Sequence, residues 1–119
     1  MTVLETVSPP NSGPPRHVHR DADETFVVLS GDVQFWLEGE TFTRGPGQAV
    51  FVPRGKGHTF RVVGGEPSRS IVILTPGRFE GFFREMAEGR FRIPEDMPAV
   101  VDSAARFQLT FTGPPLGAQ

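Results

Sequence analysis

Three histidines and one glutamate carry most of the chemistry that this sequence can offer. His17 and His19 lie one residue apart in PPRHVHRDADETF (residues 14–26), and Glu24 follows after a short polar run. His58, the remaining histidine, comes directly after the glycine-rich turn PRGKG. In an extended segment, residues i and i+2 share a face and sit about 6.6 Å apart. Both imidazoles of the His-x-His pair can therefore reach one space, where a shared metal ion would lie about 2.1 Å from each ligating nitrogen. Taken singly, each residue has a plainer reading. A strand histidine usually lies at the surface or hydrogen-bonds to a neighbour, and a lone glutamate is usually solvated. Cysteine is absent, which excludes disulfides and thiolate chemistry.

The elements that must position these side chains read as short strands. Between residues 24 and 75 six runs follow one another: ETFVVLS, VQFWLEG, TFTR, QAVFV, HTFRVV and RSIVILT. They are separated by Gly31-Asp32, Gly39-Glu40, Gly45-Pro46-Gly47, the PRGKG turn and a Gly64-Gly65-Glu66-Pro67 loop, all strong turn chemistry. Strands at this spacing predict a sandwich or small barrel. Several runs are apolar on both faces, which is expected if one face lines the interior and the other is covered by another sheet or subunit. After Pro76 the period changes. Phe79, Phe82, Phe83, Met86 and Ala87 form one stripe of a short helix that Gly89 can end, and the stripe reads as packed on the core. Residues 94–105 predict a second short helix with Pro98 in its first turn. Phe107, Leu109 and Phe111 alternate beyond it. The expected organisation is one domain over residues 1–119, with a barrel core at 1–76 and a helical C-terminal extension at 77–119 that closes one end.

Bulk properties narrow the partners. The 119-residue chain has 12 basic and 14 acidic residues with both signs scattered, so nothing resembles a nucleic-acid or anionic-membrane surface. Apolar runs as short as IVIL do not span a bilayer, and MTVLETVSPP lacks the form of a signal peptide. A cytoplasmic protein is expected. Arg16, Arg20 and Asp21 beside the histidine pair read as facing water, and Arg54 and Lys56 as solvated loop charges that could at most guide an anion.

Two longer patterns carry a family resemblance. His17 to Gly31 reads His-x-His, four residues, Glu, six residues, Gly, and resembles the first cupin motif. Gly47 to His58 reads Gly, five residues, Pro-x-Gly, two residues, His, and is similar to the second. Together with their connecting strands they cover about half of the chain and use every histidine in it. The resemblance implies an all-β fold, the double-stranded β-helix or jelly-roll cupin barrel, here with short C-terminal helices. It also implies that His17, His19, Glu24 and His58 bind one divalent metal ion inside it, with Fe, Mn, Ni, Co and Zn all compatible. Asn11 stands where the family pattern has a glycine, and Val62 where it has an asparagine. The chain begins sixteen residues before His17, so either the barrel is minimal or a partner subunit completes the sheet; a homodimer is expected.

Glu24 is the one ionisable group at such a metal besides the histidines, and is expected to act both as ligand and as catalytic base. Phe26, Val28, Phe35, Phe60 and Val62, on the same inner faces, are the expected substrate-binding residues of a pocket suited to a flat aromatic molecule. TPGRFEGFF (residues 75–83) and FTGPPL (residues 111–116) look like segments of small cupins related to quercetin dioxygenases. That likeness implies deprotonation of a flavonol by the glutamate, followed by O2 attack and ring cleavage. Two other readings stand beside it: a redox-neutral cyclase, isomerase or decarboxylase, and a binding module that transforms nothing.

Overall fold

Alternation of inward and outward side chains builds nine strands among the described residues, which in this computed structural model are 1–76, 80–92 and 95–117. In chain order the elements are β1 (Thr2–Ser8), β2 (Pro15–His19), β3 (Asp23–Ser30), β4 (Asp32–Leu37), β5 (Glu40–Arg44), β6 (Ala49–Val52), β7 (His58–Val63), β8 (Ser68–Thr75), α1 (Glu80–Gly89), α2 (Met97–Arg106) and β9 (Leu109–Pro115). They form two antiparallel sheets, ordered β1-β8-β3-β6 and β5-β4-β7-β2-β9. The fold is the expected all-β jelly roll with two short helices. On β3 the inward row is Glu24, Phe26 and Val28; on β4 it is Val33 and Phe35. Phe26 packs edge-on against Phe35 and Phe60, with ring centroids 5.2 and 5.7 Å apart, and Val50, Val52, Val72 and Leu74 complete this core.

Backbone demands explain several sequence choices. Leu37 pairs with Glu40, so Glu38 and Gly39 form the two-residue hairpin loop, both with positive φ (45° and 91°) as a type I′ turn requires. Gly13 is fixed by contact instead: a Cβ there would sit 1.8 Å from the Phe60 carbonyl oxygen. Asn11 takes a left-handed φ of 63°, which asparagine tolerates well after glycine, and its N–H donates to the Val62 carbonyl at 2.9 Å. The two departures from the family pattern thus meet through one backbone bond.

The helices lie between β8 and β9 in the chain, and Phe82, Val100 and Ala104 join the core from them. They are tied together by Glu85, which pairs with Arg106 and accepts a hydrogen bond from the Ser103 hydroxyl at 3.0 Å. Pro98 falls in the first turn of α2, as predicted. Phe79 of the expected stripe and Pro94 lie outside the described residues. No helix among the described residues is long and apolar enough to cross a membrane.

Two strands depart from expectation. β1 pairs with β8 along seven residues, from Thr2 with Leu74 to Ser8 with Ser68, and β9 pairs with β2, so residues 77–119 are not only a helical extension. The chain itself supplies a strand before the His-x-His segment, where the sequence reading expects either a minimal barrel or a sheet completed by a partner. β1 escapes notice because its polarity is inverted: Thr2, Leu4, Thr6 and Ser8 are the more buried row, while Val3, Glu5 and Val7 point out. β9 contains Gly113, Pro114 and Pro115, which normally argue against a strand but are tolerated at a sheet edge.

Candidate metal centre

Strand register and the packing of the two sheets bring the four candidate ligands together. His17 on β2 pairs directly with His58 at the start of β7, and His19 follows on the same inward row of β2. Glu24, near the start of β3, faces them from the other sheet. One potential ligand atom from each of the four lies within 4.8 Å of all the others. Glu24 Oε1 is 2.9 Å from His58 Nε2 and 3.4 Å from His19 Nε2. The His17 ring centroid is 4.3 Å from that of His58 and 5.3 Å from that of His19. All four residues are buried; Glu24 is 6% exposed and His58 only 1%.

The turn at residues 53–57 is pinned to the strands that carry the other ligands. The Gly55 N–H donates to the His19 carbonyl at 2.7 Å. The Arg54 N–H donates to Asp23 Oδ1 at 2.8 Å, and its guanidinium pairs with the same carboxylate, next in sequence to Glu24. The Gly57 N–H donates to Glu38 Oε2 at 3.1 Å, while its carbonyl accepts from the Glu38 N–H. Arg54 therefore stands exposed in an ion pair that holds the turn. Arg16 points away from the centre and lies over the Trp36 ring at 3.8 Å.

Two backbone carbonyls set the histidine tautomers. His17 Nδ1–H donates to the Pro15 carbonyl at 2.7 Å, which leaves Nε2 as its ligating atom. Burial pushes the His17 pKa down to about 3, aided by the nearby His58 and against the Pro15 bond, so this ring is neutral and ready to ligate at ordinary pH. His58 Nδ1 lies 3.1 Å from the Lys56 carbonyl. The other ring nitrogen, Nε2, faces Glu24, and a divalent cation bound at Nε2 would take the place of that contact. Burial alone would raise the Glu24 pKa, but hydrogen bonds from His19 and His58 outweigh it and hold the carboxyl at about 2. Three imidazoles and one ionised carboxylate, oriented by carbonyls behind them, fit a divalent metal ion.

Beside the cluster lies a cavity of about 340 Å³. His17, His19 and Glu24 face it, and Phe26, Phe35, Phe60 and Val62 line it as expected. Val28 does not: it lies on the same inward row, level with Ser70, but is fully buried in the core. Sequence reasoning missed Leu4 on β1, Leu109 and Phe111 on β9, and Phe82, Phe83 and Met86 on α1, all of which line the cavity. The phenylalanine stripe was the available signal for the last group. It packs on the core and also walls the cavity.

Comparison with known proteins agrees with this geometry. The sequence profile of the cupin domain matches residues 4–74. The chain is a cupin. It is 32% identical over 72 residues to a quercetin 2,3-dioxygenase from Bacillus subtilis, covering 60% of this chain and 21% of that protein. It is 35% identical over 60 residues to the polyketide synthase CurC of Streptomyces cyaneus, covering 50% of this chain and 39% of that one. The matched stretch thus spans well under half the length of either relative. Among solved structures, a double-stranded β-helix protein from Klebsiella pneumoniae superposes with a TM-score of 0.59 at 23% identity, covering 64% of this cupin and 67% of that chain.

Two outcomes follow for the centre. His58→Ala should weaken divalent-metal affinity by at least ~100-fold, more than loss of a supporting residue behind a ligand costs. Arg54→Ala, which removes an exposed ion pair, should change it little; elemental analysis after dialysis against graded chelator reads both, and equal effects would refute the ligand set. In chelator-stripped protein, His17 and Glu24 both have folded pKa values below their ordinary 6.5 and 4.5. The unfolded chain therefore binds more protons below pH 6.5, and stability is lost as pH falls, most steeply between about 4.5 and 3 where both windows overlap. Urea midpoints at pH 7, 5 and 3.5 should decline in that order, and a flat series would contradict the burial of neutral His17.

Proposed function

We propose that this cupin is a mononuclear metal-dependent dioxygenase acting on a flavonol or a similar enolisable aromatic. The observation that carries the reading is the position of Glu24, which belongs to the ligand cluster and also faces a mostly apolar cavity. The likeness to quercetin 2,3-dioxygenase over residues of the barrel supports it. With a single protein carboxylate among four ligands the bound site stays positive and favours an anionic oxygen donor. A divalent ion held by His17, His19, Glu24 and His58 would supply Lewis acidity, lowering the pKa of a ligated hydroxyl.

The chain's own residues do the rest. Glu24 Oε1 receives His19 and His58, which leaves Oε2 to accept the proton of a substrate hydroxyl. A carboxylate held at about pKa 2 is a weak base, so the transfer depends on that hydroxyl being acidified first. Phe26, Phe35 and Phe60 offer ring faces and edges to a planar substrate. Met86 and Phe82 of α1 exclude water from one side of the cavity.

A redox-neutral reading, such as a cyclase, isomerase or decarboxylase on the same centre, is favoured by the likeness to a polyketide synthase protein. One experiment separates the readings. Protein reconstituted with each of Fe, Mn, Ni, Co and Zn is given quercetin and a panel of related enols, with O2 uptake and product mass followed. The dioxygenase reading expects stoichiometric O2 consumption with at least one metal. Turnover that persists anaerobically would replace it with the redox-neutral one, and unchanged ligand recovered from a tight complex would reduce the protein to a binding module.

We also propose a homodimer formed through the outer face of the β1-β8-β3-β6 sheet. Val3, Ile73, Thr25 and Phe51 line up in register across its four strands. Val3, Val7, Leu29 and Phe51 are exposed there, Phe51 at 57%. The exposed Glu5–Arg69 ion pair lies on the same face beside Val7, so the apolar surface is broken by charge there, but this many exposed apolar side chains on one sheet face still call for an explanation. Sedimentation should give a dimer mass, and Phe51→Glu should shift it to monomer with the far-UV spectrum unchanged. A monomeric wild-type protein at 100 μM would remove the proposal.

A further inference from the structure

The ladder between β4 and β7 ends on a candidate metal ligand. Trp36 pairs with Thr59 and Leu37 with His58, and the Glu38-Gly39 hairpin turn follows at once. One step further, the Glu38 N–H donates to the Gly57 carbonyl at 3.0 Å, as the next rung of an antiparallel ladder would. The return bond is different. The Gly57 N–H donates at 3.1 Å to Oε2 of the Glu38 side chain, where a regular rung would use the main-chain carbonyl of Glu38. Turn chemistry does not call for glutamate there: Glu38 has a φ of 45°, and a type I′ turn favours asparagine, aspartate or glycine at that place. Gly57 is buried, so its N–H needs an acceptor within the protein, and the longer side chain supplies one.

The bond matters because of the peptide group it holds. The Gly57 N–H and the Lys56 carbonyl belong to one planar unit, so fixing the first fixes the direction of the second. That carbonyl faces His58 Nδ1 at 3.1 Å, while His58 Nε2 faces Glu24 Oε1. We propose that Glu38 is a positioning residue of the metal centre, acting through the Lys56–Gly57 peptide to hold the His58 ring with Nδ1 protonated and Nε2 turned to the cation. A single line of contacts runs from the Glu38 carboxylate through one peptide group and one imidazole to the ligand cluster. The carboxylate also makes the carbonyl at the other end of that peptide a stronger acceptor, since hydrogen bonds in a chain polarise one another. His58 is the most deeply buried of the four ligands, 1% exposed, so its orientation rests on protein groups behind the ring and not on water. The Arg54–Asp23 pair anchors the same turn four residues before His58 and does not touch this peptide.

This inference rests on the four-residue metal centre and is independent of the reaction carried out there. Glu38→Asp and Glu38→Gln test it in opposite directions. Aspartate keeps the charge and suits the turn better, but it is one methylene too short to make the Gly57 bond. Glutamine keeps the length and an acceptor oxygen and loses the charge. Co(II) affinity is measured by competition with a chelator, and the Co(II) absorption spectrum reports the ligand geometry. Glu38→Asp should weaken Co(II) binding roughly tenfold, within the usual cost of losing a group behind a ligand, and should shift the absorption bands. Glu38→Gln should keep the bands and bind within about threefold of wild type, because an amide oxygen accepts a hydrogen bond less strongly than a carboxylate. A residue that only closes the hairpin would change the urea midpoints of the metal-free variants and leave affinity and spectrum as they were. A residue that acts by its charge would lose affinity in Glu38→Gln and keep it in Glu38→Asp. Either pattern overturns the role of Glu38 while the metal centre stands. Wild-type protein that takes up no Co(II) removes the centre itself, and this role with it.

Discussion

Everything at this centre depends on keeping an ionised carboxylate, Glu24, inside a barrel. Burial opposes that ionisation, and only the hydrogen bonds from His19 and His58 reverse the balance. Removing one partner from such a buried pair typically costs about 3–5 kcal/mol, against about 0–1 kcal/mol for an exposed ion pair. The placement of His58 is therefore a requirement on the fold as well as on any metal. It explains why the turn before His58 is tied to β2 through Gly55, to β3 through Arg54 and Asp23, and to β4 through Gly57 and Glu38. Three strands that carry or flank ligands are locked to one five-residue turn.

The same arrangement connects stability to metal binding. A neutral His17 with its Nδ1 proton committed to Pro15 is prepared to ligate, and the two imidazoles at Glu24 Oε1 occupy the place where a cation would sit. A divalent ion held by His17, His19, Glu24 and His58 would take the place of the hydrogen bonds at Glu24 Oε1. The centre is thus preformed by β pairing: the register of His17 with His58 is a single bridge in an otherwise irregular β2–β7 contact, and it falls at the ligands.

How much of this the sequence disclosed depends on whether local polarity matched the fold. The β3–β8 core was legible because Phe26, Val33, Phe35, Val50, Val72 and Leu74 obey the inward alternation of ordinary strands. The ligand set followed from two spaced motifs, and the four side chains do converge. β1 was not legible, since its more buried row contains Thr2, Thr6 and Ser8 while Val3 and Val7 face out. β9 was hidden by Gly113 and two prolines. Val28 was assigned to the pocket because period-two reasoning gives a face but not what covers it: it lies on the right row, level with Ser70 of the cavity wall, but is packed over by the core.

These failures share a cause. A strand that only builds a core presents apolar residues inward, and pattern reading finds it. A strand that lines a binding cavity must present some polar atoms inward to meet a ligand, and a strand whose outer face meets a partner presents apolar atoms outward. β1 has the polarity that such a strand would have, with Thr6 and Ser8 on the cavity side and Val3 and Val7 outward. A segment that reads as the wrong way out, and still pairs along seven residues with a well-patterned neighbour, is held in place by that backbone pairing and not by its own side-chain pattern.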